Sequence, residues 1–520
     1  MTSLTGKKLS EPSELMGRAH EALDAALDVV LRTQRADGSW AGTADPRIFD
    51  TAVVACALGP GTSPEREART RAVAWLLDAE PQRHHRGVED IERWLRQLLI
   101  VPHRCGTPPL PLNSRFVGRV VLLHALAVAA NAPGGDAGAL RSAIRRIRDD
   151  AGGRPLRQWL RVALRSAELL TRTSPAPAEQ VTELAAEQRD DGSFCLMPSV
   201  TALAYLALRT TAPRHPSVRR SRGWLLATQH EDGTWRFAEN DTWISALTVR
   251  SLRGIPAFDD HALPPATEYL VRAQSGDGGW SYKHGLESDC DTTGMALLAL
   301  ADTPAGRSVA AAAQDFARRV QLPEGSWRTW QSVDDPASLD VTAHMISGLD
   351  AAAPGHRIDT ARARAWLAAQ GRAPGGWVAD WYCPSAYAVH EIAAALGRDH
   401  PVSCDAASRL ATQQNSDGGW STHPGGPSGA AATGLALSAL AHPVSPLPEA
   451  AVMRALEYLV DRQRSDGTWP GLPFMSGPRP LLVHYPPDTH AFTVAGLSAA
   501  CTRYGDGRVS PGLRTSGADA

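Results

Sequence analysis

Apolar residues recur at helical spacing along nearly the whole chain. In residues 266–274 (ATEYLVRAQ) Ala266, Tyr269, Leu270 and Ala273 fall at i, i+3, i+4 and i+7, one face of a helix. Residues 293–300 (TGMALLAL) form a second apolar segment, predicted to be the next helix. β-branched alternation is scarce, so strands are expected to be minor.

One connector joins these segments repeatedly. A Gln is followed by Asp-Gly or a near variant, and an aromatic closes the motif six residues after the Gln. It occurs at 34–40 (QRADGSW), 188–194 (QRDDGSF), 229–235 (QHEDGTW), 274–280 (QSGDGGW), 321–327 (QLPEGSW), 414–420 (QNSDGGW) and 463–469 (QRSDGTW). A looser copy at 370–377 has one residue more. A recurrence every 41–49 residues from Gln188 onward marks a repeated supersecondary unit. Each unit is predicted to be helix, turn, helix, with Gly in the turn where positive φ is needed. The tryptophans are expected to wedge between helix ends, and each Gln to bond the adjacent turn.

The chain has 520 residues, room for two domains with large cores. Its net charge is −2, with no polybasic run, which argues against nucleic acid as partner. Nearly all positive charge is arginine; the lysines are Lys7, Lys8 and Lys283. Seven scattered cysteines, never spaced CxxC, read as reduced thiols. The N-terminus lacks the apolar core of a signal peptide, and the longest apolar stretch, near 120–130, is too short to span a bilayer. A soluble, cytoplasmic protein without stable membrane association is expected.

The repeats resemble the QW motifs of squalene-hopene and class II terpene cyclases. The resemblance implies an all-α fold of two α/α barrels. It places a catalytic β domain at 1–44 plus 239–520 and an inserted γ domain at 45–238, where the repeats thin out. Residues 289–293 (DCDTT), whose second Asp lies eleven residues after Trp280, are similar to the family's DxDD signature, with Thr292 in the fourth position. A DxDTT variant occurs among bacterial members. The resemblance implies Asp291 as proton donor, with Asp289 sharing its network; alternatively, either aspartate simply caps the next helix. Protonating an unactivated alkene needs a carboxylic acid kept neutral by burial, with a neighbouring carboxylate titrating jointly.

Residues 340–344 (DVTAH) resemble a segment whose His hydrogen-bonds that acid in the family. This implies His344 as partner of Asp291, and Asp340, one turn away, as the residue that fixes its ring. Aromatic faces stabilise carbocations by about 2 kcal/mol or more when desolvated. Trp243 matches a pocket tryptophan of the family; Trp381, Tyr382, Tyr387, Trp330, Tyr485 and Phe492 are further candidates, each equally readable as core. Lys283, with Arg115 or Arg119, is the expected diphosphate anchor. Glu89, Asp90 and Glu92 weakly match the acidic γ-domain motif that holds Mg2+, although they also read as a solvated helix face. A class I DDxxD motif is absent, so the diphosphate is expected to survive.

The implied substrate is farnesyl diphosphate, cyclised to a drimane-type bicyclic diphosphate. Geranylgeranyl diphosphate and a labdane-type product are the alternative. Two further readings stay open: a zinc-dependent protein prenyltransferase using Asp289, Cys290 and a distant His, and a helical binding module without catalysis.

Overall fold

The computed structural model describes residues 12–504 apart from 83–85, 333–334, 353–357, 373–375, 442–446 and 478. Among these are 22 α-helices and only four strands, each of two residues. All seven cysteines are free.

Six helices close a ring through their mutual contacts: Asp241–Leu252, Cys290–Ala299, Leu339–Ala352, Ser385–Leu396, Ala430–Leu440 and Pro486–Tyr504. All eleven residues of Ala430–Leu440 are buried, which the all-round apolar pattern dictates. A second layer wraps the ring: Pro12–Thr33, Leu263–Arg272, Pro304–Val320, Thr360–Gly371, Pro401–Ala411 and Glu449–Arg462. These helices are amphipathic; Pro304–Val320 buries Val309, Ala310, Ala313, Phe316 and Ala317 and leaves its arginines outside. The architecture is therefore an α/α barrel.

A smaller helical unit has its own core, running from Ile48 to Ala238 and joined by Leu481. Its central helices include Ile48–Leu58, Gln158–Leu170 and Pro198–Thr211. The larger core draws on residues 15–44 and 243–501.

Most connectors work the same way. The Gln274 amide donates to Gly278 O at 2.9 Å and Val309 O at 3.1 Å, pinning its own turn to the next outer helix. Trp280 Nε1 donates to Leu270 O at 2.7 Å, tying the turn back to the helix before it. The pattern recurs at Gln34, Gln188, Gln229, Gln321, Gln414 and Gln463. The Trp bond recurs at Trp40, Trp235, Trp327, Trp377, Trp420 and Trp469. The repeats are fasteners between outer helices, and the one ending at Trp280 also accepts from Asp289 N at 2.8 Å.

Candidate active site

The helix Cys290–Ala299 begins at Asp289, whose Oδ1 accepts from Thr292 N at 2.6 Å as an N-cap. Its Oδ2 accepts from Thr292 Oγ1 at 3.0 Å and Tyr282 N at 3.1 Å. Asp289 thus does cap the helix, and it also lines a cavity together with Asp291 and Thr292. Burial raises Asp289 to about 8, Thr292 N opposes this, and the charge of Asp291 adds to it. Burial raises Asp291 as well, against the pull of His344. Both groups are held toward the protonated state that an acid needs.

His344, on Leu339–Ala352, places Nδ1 2.7 Å from Asp291 Oδ1. Two glycines make this approach possible. A Cβ on Gly294 would lie 2.5 Å from the His344 carbonyl carbon, and one on Gly348 would lie 2.4 Å from Gly294 O. The two helices touch backbone to backbone beside the acid.

Asp340 is where the structure corrects the sequence reading. Its carboxylate takes Ser338 Oγ at 2.7 Å and the Asp380 and Trp381 amides at 3.1 and 3.0 Å, and it holds the Trp381 loop rather than the imidazole. The other ring nitrogen of His344 faces Glu391 instead, with Nε2 3.2 Å from Oε2. That approach is an ion contact off the straight hydrogen-bond line. Glu391 is paired in turn with Arg250 at 2.7 Å. Sequence reasoning missed both residues. The available signal was a single carboxylate in the otherwise apolar helix Ser385–Leu396.

The cavity and its open mouth together enclose about 650 Å³. Its walls include Trp243, Tyr282, Trp330, Trp381 and Tyr485, with Arg157 and Trp159 contributed by the smaller unit. Tyr382, Tyr387 and Phe492 do not line it. They pack behind Trp243, with Tyr382 and Tyr387 rings 4.3 Å apart and Phe492 edge-on to Tyr382 at 5.5 Å. Trp243 Nε1 donates to Tyr382 OH at 3.0 Å, which donates to the buried Asp488 at 2.9 Å. That chain orients the Trp243 ring, whose centroid lies 5.8 Å from His344.

A second cavity adjoins the first through Arg157, Trp159, Thr329, Trp381 and Ser476. Arg115, Arg119, Arg157 and Arg479 line it, against Asp335 and Asp380. Arg119 is only 3% exposed and is pushed down to about 9 by burial and by the charge of Arg47. Among the described residues its Nε has no hydrogen-bond partner.

Two expectations fail on geometry. Lys283 is on neither cavity; its ammonium pairs with Glu239 at 2.6 Å and Asp241 at 2.5 Å, binding the loop after Trp280 to the start of Asp241–Leu252. Glu89 and Asp90 lie on an open helix face and are both paired to Arg93, while Glu92 turns inward to accept from Gln82 N at 2.8 Å. Divided in this way, the three carboxylates do not fit a common Mg2+ site. Among the described residues no three His, Cys, Asp or Glu side chains are grouped to hold a metal, the zinc set of a prenyltransferase included. No helix among them is long and apolar enough to cross a membrane.

The squalene-hopene cyclase N-terminal domain model matches residues 218–312 and the C-terminal domain model residues 328–502. A drimenyl diphosphate synthase of Streptantibioticus cattleyicolor is 30% identical over 386 residues, 66% of this chain and 70% of that protein. Another, from Streptomyces showdoensis, is 27% identical over 373 residues, 67% of this chain and 68% of its own length. Among solved structures, an ent-copalyl diphosphate synthase from Streptomyces platensis superposes with a TM-score of 0.63 at 17% identity. The match covers 93% of this chain and 99% of that one, and it establishes likeness of fold. With the double helical barrel, the family-model matches and the identity to cyclases in hand, the chain belongs to the class II terpene cyclases.

Proposed function

We propose that this cyclase protonates the terminal alkene of farnesyl diphosphate and returns a drimane-type bicyclic diphosphate, drimenyl diphosphate. We take the larger unit as the catalytic β barrel and residues 45–238 as the inserted γ barrel. The observation that carries the reading is the polarity of the joined cavities. Two buried carboxyls, both pushed upward by burial, lie in one among aromatic walls, and four arginines line the other. The kinship to two drimenyl diphosphate synthases supports the fifteen-carbon substrate over geranylgeranyl diphosphate.

Asp291 is the donor. His344 occupies Oδ1, leaving the second oxygen to pass its proton to the alkene. The alkene π pair forms the new C–H bond, and the positive charge appears on the more substituted carbon. Trp243, Trp330, Trp381, Tyr282 and Tyr485 line the path of the migrating charge, and a desolvated aromatic face there stabilises it by about 2 kcal/mol or more. The diphosphate rests among Arg115, Arg119, Arg157 and Arg479. Arginine forks suit phosphate oxygens, and the buried Arg119 gains a counter-charge there. The allylic C–O bond is never broken.

Incubation with farnesyl and geranylgeranyl diphosphate, with and without phosphatase, tests this. A bicyclic sesquiterpene alcohol appearing only after phosphatase treatment is expected. Release of inorganic pyrophosphate in step with product refutes it.

A further inference from the structure

We infer that Glu391 and Arg250 are positioning residues that hold His344 as an imidazolium and thereby set the acid strength of Asp291. This rests on the reading of Asp291 as the proton donor.

The geometry comes first. Asp291, His344, Glu391 and Arg250 form an unbroken buried chain of 2.7, 3.2 and 2.7 Å contacts across three neighbouring inner helices and a fourth, Asp241–Leu252. His344 is 1% exposed and Glu391 is 2% exposed, so water cannot replace either partner. With the transferable proton of Asp291 on Oδ2, its Oδ1 can only accept from Nδ1, so the ring is satisfied only if Nε2 also carries hydrogen or if Glu391 does. Glu391 does not carry the proton. Burial would raise it, but the charges of Arg250 and His344 overcome this and hold it well below the usual carboxylate range. Burial would likewise depress His344, yet Glu391 and Asp291 lift it to about 10.

Around His344 stand Asp291 and Asp289 at the start of Cys290–Ala299, Asp340 on its own helix, and Tyr387, His390 and Glu391 on Ser385–Leu396. Tyr382, Arg250 and Arg398 complete the set. Burial drives His390 down to about 3, so it stays neutral; burial drives both tyrosines up, so they stay protonated.

The consequence is a charge count. With Asp291 protonated, the chain Arg250, Glu391, His344, Asp291 carries one net positive charge in a dry interior. Donation of the proton leaves a carboxylate against the imidazolium, and the chain becomes neutral. The positive charge passes to the substrate carbocation, so the step relocates buried charge, whereas ionising a lone buried carboxyl would create a new unpaired one. A neutral His344 would leave the same count at zero before donation and at minus one after it, making Asp291 a weaker acid.

The test has two arms. In protein labelled with 15N-histidine, with His344→Gln to assign the signal, the His344 ring is expected to stay doubly protonated up to pH 8. A neutral ring at pH 7 overturns the inference, whatever the variants do. In the second arm, Glu391→Gln and Arg250→Gln are expected to lower kcat by about 10²-fold, the low end for acid–base groups. Their KM should be unchanged, and the alkaline limb of the kcat profile should move toward neutral pH. A Glu391→Gln enzyme with wild-type kcat and pH profile also overturns it. Asp291→Asn separates the two readings: normal turnover there removes Asp291 as the acid, whereas a dead Asp291→Asn beside a normal Glu391→Gln removes only this inference.

Discussion

Replacing Gly294 by alanine should damage catalysis through one methyl group that touches no substrate. A Cβ at that position would stand 2.5 Å from the carbonyl carbon of His344 and 2.7 Å from both its oxygen and the Met345 amide. These are backbone atoms of a buried helix, so neither a rotamer change nor a flexible tip relieves the overlap. Restoring normal contact requires the helices Cys290–Ala299 and Leu339–Ala352 to part by roughly 1 Å, because close-packed interiors offer no slack. Overpacking of this kind costs about 1–3 kcal/mol. The catalytic effect should be larger than the energetic one. The 2.7 Å contact between Asp291 and His344 spans the same two helices, three residues from the added methyl and on the very residue it strikes. A separation near 1 Å takes that bond past hydrogen-bonding range, and a misplacement of that size costs about 10²-fold in rate. The control lies across the ring. A Cβ at Gly434 would meet Phe492 O at 2.3 Å and Thr493 Cα at 2.6 Å, an equal clash between Ala430–Leu440 and Pro486–Tyr504. Steady-state turnover of farnesyl diphosphate and thermal melting should be compared for both variants. The expectation is a similar drop in melting midpoint, with the large loss of kcat confined to Gly294→Ala. If Gly294→Ala keeps wild-type kcat, or if Gly434→Ala loses as much, backbone contact does not set the acid geometry.

Asp291→Asn should abolish turnover with an unchanged melting midpoint, and Asp289→Ala should lose about 10²-fold or more in kcat while also destabilising its helix, which it caps. Arg119→Met should raise KM for farnesyl diphosphate with little change in kcat, the signature of uniform binding, and an unchanged KM would empty the arginine-lined cavity of its proposed occupant. Lys283→Ala should lower the melting midpoint through its lost pairs with Glu239 and Asp241 and leave KM alone; a raised KM would return Lys283 to the diphosphate. Burial raises Asp488 from 3.8 to about 7, so the stability this group confers is complete at acidic pH and is lost as pH rises through 7. The melting midpoint of wild type should therefore fall relative to Asp488→Asn between pH 5 and 8, and parallel profiles would show that Asp488 does not titrate in this range.

The sequence by itself determined the helical content, the repeat and the placing of Asp289 and Asp291 at a helix start. Those properties are local. Helical periodicity is written within ten residues, the Gln-to-Trp fastener closes over six, and the Asp289–Thr292 cap lies within a single turn. The Asp291–His344 contact spans 53 positions, and it was legible because both ends carry recognisable short motifs. Tertiary structure decided everything that depends on which inner helices become neighbours. Asp340 and His344 share a helix face by spacing, yet the loop at Asp380 and Trp381 arrives with two unpaired amides and claims the carboxylate first. The imidazole then meets Glu391, a residue that no motif announces, because Ser385–Leu396 is the next stave of the barrel. Lys283 looked suited to a phosphate through its rarity, but it had two carboxylates within reach once the chain closed. The wall aromatics divided for the same reason: Trp243 and Trp381 reached the cavity, and Tyr382, Tyr387 and Phe492 filled the space behind it. Local patterns specify what each segment is. The partners of a charge or a ring are set by packing between segments far apart in the chain, where the low dielectric of the interior makes every such pairing count.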